Sequence, residues 1–366
     1  MRRWISACRG ASGWDMTHIT VPARTCLNAA MDRLASLRIL QCRPGFETEC
    51  AEEAGTGATV LGEGMVSAAG SDGPLSGLVF ARQAFRQVAE LKELPAGDRI
   101  DAILAALEAH AGPVQDVLLE HPDTNAGKEL AGFLKKFALP LRSALAKRGL
   151  PVRRDTGRRL HLLFTDSRHL RLGFSAGEDG SPLTNGILHL KMPREAPSRS
   201  TLKLEEALLR FLDERDRDRW LRPGLTAVDL GAAPGGWTWQ LTCRGLKVTA
   251  VDNGPMQAEL MATGLVEHRR EDGFRFRPRR PVDWLLCDMV EQPQRVAALV
   301  GDWFARGDCR RAVFNLKLPM KRRYRSLREC LDGLHQRLDA EGLDPVLHCK
   351  QLYHDREEVT VYIGLP

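Results

Sequence analysis

No Cys-x-x-Cys pair occurs in this chain. Its nine cysteines, at positions 8, 26, 42, 50, 243, 287, 309, 330 and 349, also lack a neighbouring histidine pattern. That spacing excludes a zinc site and a disulfide framework of the usual kinds, and makes a reduced, cytoplasmic setting the default. No apolar run of signal-peptide or membrane length is present either, which argues against secretion and against membrane spanning. Charge of one sign is not in large excess: 53 Lys and Arg against 47 Asp and Glu leave a formal +6. This mild basic bias is compatible with nucleic acid without proving it. What is there in quantity is hydrophobic residues, 43% of 366, enough for a sizeable core and two or more domains.

One stretch organises the rest. Leu225-Thr226-Ala227-Val228 reads as a short buried strand, and Trp237-Thr238-Trp239-Gln240-Leu241 opens a helical pattern. The segment between them, Asp229-Leu230-Gly231-Ala232-Ala233-Pro234-Gly235-Gly236, is therefore a strand-to-helix turn of the sort that holds nucleotide-like ligands. A dinucleotide turn would need Gly-x-Gly-x-x-Gly, and Ala233-Pro234 breaks that pattern. Pyrophosphate binding, and with it a nicotinamide-dependent oxidoreductase, is disfavoured. Asp252 ends a second apolar run 21 residues beyond Gly231, where a ribose-diol acceptor sits in nucleotide-binding α/β folds. Asp272 and Asp288 follow at further turn or strand ends. Such an acidic rim suits a cationic, adenosine-bearing cofactor. From Val248 onward strand and helix patterns alternate, which indicates a doubly wound, mostly parallel sheet with its ligand crevice at the carboxyl ends of the strands.

Upstream, residues 1–36 fit nothing else in the chain. They read as a dispensable extension, either disordered or the product of a start set too early, with Met31 as the internal candidate. Residues 37–190 read as an α+β region without a nucleophile motif, a paired acid and base, or a phosphate loop, and so as a binding module. Within it, Lys128 to Arg148 has the pattern of an amphipathic helix pair interrupted by Pro140. Six arginines in nineteen residues (153, 154, 158, 159, 168 and 171) either contact several phosphates or form a solvated hairpin turn. Residues 191–366 form the third unit.

Asp229 to Trp237 resembles the first motif of the FtsJ-like ribose 2′-O-methyltransferases. Ala196 to Ala207, Val251 to Met256, Phe314 to Lys321 and Tyr353 to Val359 narrow the resemblance to the bacterial large-subunit rRNA methyltransferase M family, and it spans about residues 38–363. The resemblance implies a Rossmann-like class I methyltransferase domain preceded by a THUMP-type, ferredoxin-like RNA-binding region. It also implies S-adenosylmethionine as cofactor, and methylation of cytidine 2498 of 23S rRNA. Neither a membrane nor DNA is an expected partner, and a monomer is the default.

On this reading Ser200, Ala233, Pro234, Gly235, Gly236, Trp237, Asp252, Asp272 and Asp288 hold the cofactor. Lys203, Asp288, Lys317 and Glu358 match the family's Lys-Asp-Lys-Glu tetrad, with Lys317 as general base and no metal required. A second lysine nearby and partial burial are expected to lower the pKa of Lys317. Alternation along Glu357-Glu358-Val359 lets only one acid face the site; the resemblance favours Glu358 and leaves Glu357 open. Arg269, Arg270, Arg275, Arg277, Arg279 and Arg280 around Phe274 and Phe276, and Lys321, Arg322, Arg323 and Arg325 around Tyr324, are candidate RNA contacts. Tyr324 is the better stacking candidate, because core packing of the two phenylalanines explains them equally well. A non-catalytic RNA-binding assembly factor is the alternative that the basic faces also allow.

Overall fold

A computed structural model describes residues 37–366 other than 71, 72 and 155. The expected extension over residues 1–36 lies outside them. Two seven-stranded sheets carry the architecture. The first is built from β1 (Leu37–Cys42), β2 (Thr59–Gly62), β3 (Met65–Ala69), β4 (Ala81–Leu91), β5 (Asp116–Glu120), β6 (Arg158–Phe164) and β7 (Leu170–Ala176), in the order β2-β3-β1-β4-β7-β6-β5. Its pairs are antiparallel except for parallel β5 and β6. Helices α1 (Glu47–Ala54), α2 (Arg99–Ala106) and α3 (Asn125–Lys147) accompany it.

The expected helix pair about Pro140 is one continuous helix, α3. A proline inside a helix removes one hydrogen bond and crowds the preceding turn. Here Pro140 lies on the exposed side, where water can satisfy the freed carbonyl. Leu134, Leu141 and Leu145 meanwhile hold a single buried face across it. The arginine cluster is also corrected in part. Arg159 is buried and donates to the carbonyls of Gly177 and Gly180. The guanidinium of Arg158 lies 3.8 Å over the Phe174 ring, and Arg171 pairs with Glu90 at 2.9 Å. Three of the six are thus spent on the fold; Arg153, Arg154 and Arg168 are exposed.

The second sheet comprises β8 (Thr226–Leu230), β9 (Lys247–Val251), β10 (Val266–Arg269), β11 (Val282–Cys287), β12 (Cys309–Lys317), β13 (Val346–Lys350) and β14 (Glu358–Gly364), ordered β10-β9-β8-β11-β12-β14-β13. The first five are mutually parallel; β14 runs antiparallel to β12, and β13, antiparallel to β14, runs with the first five. Central strands such as Trp284-Leu285-Leu286-Cys287 are apolar throughout because helices cover both faces. α8 (Pro293–Ala305) and α9 (Arg323–Ala340) bury Trp303, Phe304 and Leu334 on one side. On the other lie α4 (Thr201–Phe211), α5 (Glu214–Trp220) and α6 (Gly236–Thr242), with Leu208, Trp237 and Trp284 in the core; the short α7 (Ala258–Met261) joins β9 to β10. Each such side chain contributes about 1.5–3 kcal/mol by leaving water. Strand order reverses between β8 and β11, so their carboxyl ends open the crevice that an α/β sheet offers a ligand. No helix among the described residues is long and apolar enough to cross a membrane.

The two sheets share one hydrophobic cluster, in which Phe46 and Phe80 meet Leu327 and Cys330. Polar clasps reinforce that seam. Arg43 donates to the carbonyl of Asp355 (2.7 Å), Arg82 to that of Leu352 (3.3 Å), and the Lys350 ammonium to those of Leu75 (2.9 Å) and Leu78 (2.6 Å). The charged residues described next face a cleft whose opposite wall belongs to the first sheet's half.

Candidate active site

The glycine turn takes its shape from two left-handed residues, Gly231 (φ 76°) and Gly235 (φ 115°), the latter capping α6. A Cβ on Gly231 would come within 2.8 Å of Met289 Cγ, and one on Gly236 within 2.3 Å of Ser200 Oγ. Backbone and neighbours can close around a ligand only because these side chains are missing. The result is a cleft of about 260 Å³ lined by Ser198, Ser200, Asp229, Gly231, Ala232, Ala233, Pro234, Trp237 and Asp288. Trp237 donates its indole N–H to the Ser200 carbonyl (3.0 Å), which fixes the segment leading into α4. Ser200 occupies the expected N-cap position of that helix without making a side-chain cap; its hydroxyl instead lies 2.7 Å from that of Ser198.

Asp229 is a candidate that the sequence reading left without a role. It is buried, its Oδ2 accepts the Thr238 hydroxyl at 2.6 Å, and its Oδ1 finds no partner among the described residues. Burial pushes its carboxyl up to about 7; Thr238 opposes the rise and Asp288 adds to it. The signal was an acid inside a buried apolar strand, Val228-Asp229-Leu230. Asp252 and Asp272 are not among the residues lining this cleft. The Asp252 carboxylate accepts the backbone N–H of Ala233 (3.0 Å) and of Gly254 (2.7 Å), so it braces the turn. Asp272 is half-exposed and accepts the N–H of Phe274 (2.9 Å).

Four charged side chains from four elements converge beside this cleft. Lys203 projects from α4, Asp288 follows β11, Lys317 ends β12, and Glu358 begins β14 directly opposite Lys317 in the antiparallel register. Lys317 Nζ lies 2.6 Å from Asp288 Oδ1 and is also hydrogen-bonded to Glu358 Oε2. Lys203 Nζ lies 2.5 Å from Glu358 Oε1 and 3.4 Å from Asp288 Oδ2. Glu357 points away, exposed and paired with Arg323 at 2.6 Å. Two further polar groups brace the set. Asn315 donates to Asp288 Oδ1 (2.9 Å) and accepts from the Thr360 hydroxyl (2.8 Å). Both are polar residues inside buried strands, which is the pattern that could have marked them.

The expected depression of Lys317 is overturned. Burial does press its pKa down, but the charges of Asp288 and Glu358 and their hydrogen bonds outweigh burial and carry it above the ordinary lysine value. The two carboxylates lie between the lysines and outweigh their mutual repulsion.

The aromatic candidates are distributed differently from expectation. Tyr324 is half-buried with its ring edge on Phe80 (6.4 Å), and Phe276 is buried against Trp303. Arg295 covers the face of Phe274 at 4.4 Å. Tyr353, which the sequence reading gave no stacking role, lines a second cleft of about 870 Å³ that runs between the two halves and contains Lys203, Lys317 and Glu358. Arg43 and Lys128 enter it from the first half, and Arg199 and Arg356 from the second.

Residues 98–176 match the family model of the ribosomal RNA large subunit methyltransferase M N-terminal region, and residues 196–301 that of the FtsJ-like methyltransferases. A ribosomal RNA large subunit methyltransferase M of Laribacter hongkongensis is 49% identical over 343 residues, covering 90% of this chain and 96% of its own. The proteins of the same description from Alkalilimnicola ehrlichii (48% over 350 residues, 91% and 96% covered) and Azotobacter vinelandii (49% over 346 residues, 89% and 97% covered) are similarly close. The chain belongs to the ribosomal RNA large subunit methyltransferase M family, a group of S-adenosylmethionine-dependent enzymes whose catalytic half is an FtsJ-like methyltransferase.

Proposed function

We propose that this chain methylates a ribose 2′-hydroxyl of 23S rRNA, that of cytidine 2498, with Lys317 as the general base, in the cytoplasm and as a monomer. The convergence of Lys203, Asp288, Lys317 and Glu358 next to the glycine turn carries this reading. The smaller cleft fits the cofactor, because the unpartnered, buried oxygen of Asp229 complements an ammonium and Gly231, Gly235 and Gly236 leave room for close approach. When bound, S-adenosylmethionine supplies a methyl group made electrophilic by its sulfonium. Ser200, Ala233 to Trp237, Asp229 and Asp288 would hold it, with Asp252 and Asp272 farther out. Lys317 takes the proton of the attacking hydroxyl and Lys203 orients that hydroxyl. Asp288 and Glu358 fix both ammonium groups, so that much of the rate comes from positioning. Arg43, Lys128, Arg199 and Arg356 line the larger cleft with positive charge suited to RNA phosphates.

Labelled methyl transfer to deproteinised large-subunit rRNA from cells lacking the protein, set beside assembling subunits from the same cells, tests this. Label at one ribose 2′-oxygen, at cytidine 2498, is expected; label on a base, or saturating cofactor with no transfer to either substrate, overturns it. Because Lys317 must lose its proton before it acts, the single-turnover rate should climb about tenfold per pH unit across the neutral to mildly alkaline range. Glu358→Gln removes one of the two anions that hold the proton on. The bend of its rate profile should move down by about 1–3 in pH, even though its plateau is lower. An unmoved bend would mean that Glu358 does not set the charge of Lys317.

A further inference from the structure

Val290 (91% accessible) and Met320 (85%) are the two most exposed large apolar side chains among the described residues. They sit on the two loops that follow Asp288 and Lys317. Val290 lies two residues past Asp288 on the loop between β11 and α8, and lines the larger cleft with Lys203, Lys317 and Glu358. Met320 lies three residues past Lys317 on the loop between β12 and α9. Since β11 and β12 are neighbouring parallel strands, both loops leave the sheet at the end that carries the four charged residues. A single exposed apolar side chain needs no account, but a pair framing a reacting centre does. The Met320 loop has two more features. Lys321 and Arg322 are exposed beside the methionine, and Arg322 adopts a left-handed backbone (φ 57°, ψ 38°), uncommon for a residue other than glycine.

The Lys317 side chain is only 22% accessible, and its ammonium is hemmed by two carboxylates. A nucleotide swung out of its stack presents its ribose to this confined spot without its neighbours, and the base faces it uncovers need a substitute partner. Apolar wedges beside cations supply that combination, the wedge against the bases and the cations on the adjoining phosphates.

We infer that Val290 and Met320 are positioning residues that hold the target nucleotide out of its stack. Val290 packs on the nucleotide inside the cleft, Met320 fills the step it has left, and Lys321 and Arg322 take the flanking phosphates. This rests on an RNA ribose being the methyl acceptor.

The test uses the full chain and a structured large-subunit rRNA fragment with 2-aminopurine next to the target nucleotide. In a Lys317→Ala background, binding should raise the fluorescence, and adding Val290→Ser and Met320→Ser should abolish the rise. With Lys317 intact, the same pair should raise KM for the structured fragment about tenfold or more while kcat changes less. The penalty should be smaller on a short single-stranded fragment, where no stack has to be opened. Both sites are exposed, so the thermal midpoint should not move. Persistence of the fluorescence rise in the double variant, or equal penalties on both fragments, overturns the inference. Transfer by the unaltered chain with no effect of the substitutions sinks this inference alone; no transfer by the unaltered chain sinks the ribose reading and this one with it.

Discussion

Replacing Lys317 by alanine is expected to leave S-adenosylmethionine binding intact and to slow single-turnover methyl transfer to rRNA about a hundredfold to ten-thousandfold, the range that a positioned base contributes. The separation follows from geometry. Lys317 closes β12 and does not line the smaller cleft, which is walled by the glycine turn, Ser198, Ser200, Trp237, Asp229 and Asp288; Asp288 is the residue the two share, and it stays in place when Lys317 is cut back. Alanine also strips a cation from between two carboxylates, which raises their mutual repulsion and lowers stability. Lys317→Arg separates the two effects. It preserves the positive charge and hence the charge balance, but a guanidinium does not deprotonate in the working range, so stability should recover while transfer does not. Rapid-quench measurement of labelled RNA, with cofactor binding measured separately by calorimetry, reads both quantities. Transfer by Lys317→Arg at the parental rate would place the base elsewhere.

The doubly wound sheet was legible because period and punctuation agree along it. Most of its strands are apolar and, apart from β10–β11 and β13–β14, alternate with helices, and the glycine turn marks where the ligand crevice opens. The lysine and acid positions were legible only through their resemblance to a family motif, since Lys203 and Glu358 lie 155 residues apart and nothing local joins them. Alternation along β14 did limit the choice to one of two glutamates, and the register opposite Lys317 selects Glu358. Besides the residues the sequence left without a role, three expectations failed in whole or in part. The pKa of Lys317 depends on how many carboxylates surround it in space, which spacing along a chain does not encode. Pro140 was read as a break because local geometry opposes it, whereas the buried Leu134, Leu141 and Leu145 face overrides that opposition. The arginines of residues 153–171 looked alike in sequence, yet Arg158, Arg159 and Arg171 found backbone carbonyls, a ring and a carboxylate within their own sheet.

Asp229→Asn should weaken the binding of S-adenosylmethionine about tenfold or more at pH 8 and at the same time stabilise the protein without cofactor. Both effects come from one buried carboxyl. Its pKa is pushed up to about 7 from 3.8 chiefly by burial, with Oδ1 unpartnered among the described residues and Oδ2 tied to Thr238. Between those two values the folded state holds a proton that the unfolded state has released, so stability falls as pH rises from about 4 through about 7 and the whole cost is present above that. The cost is on the order of a few kcal/mol. Asparagine has nothing to ionise, can still accept from the Thr238 hydroxyl, and escapes this cost. The variant should therefore unfold at a higher temperature than the parent at pH 8, with the gap narrowing toward pH 5. The same anion attracts the ammonium of the cofactor, and a hydrogen bond to a charged partner contributes about 1.5–3 kcal/mol, which sets the expected loss of affinity. Cofactor affinity of the parent should accordingly improve as pH rises from 6 to 8, while that of Asp229→Asn stays flat. Thermal unfolding without cofactor and calorimetric titration with it, each at three pH values, measure the two sides. A variant that gained stability but bound the cofactor as before would assign Asp229 to the fold and leave the ammonium to another acid of the rim; one that lost affinity without gaining stability would mean that the carboxyl is already hydrated in the open cleft.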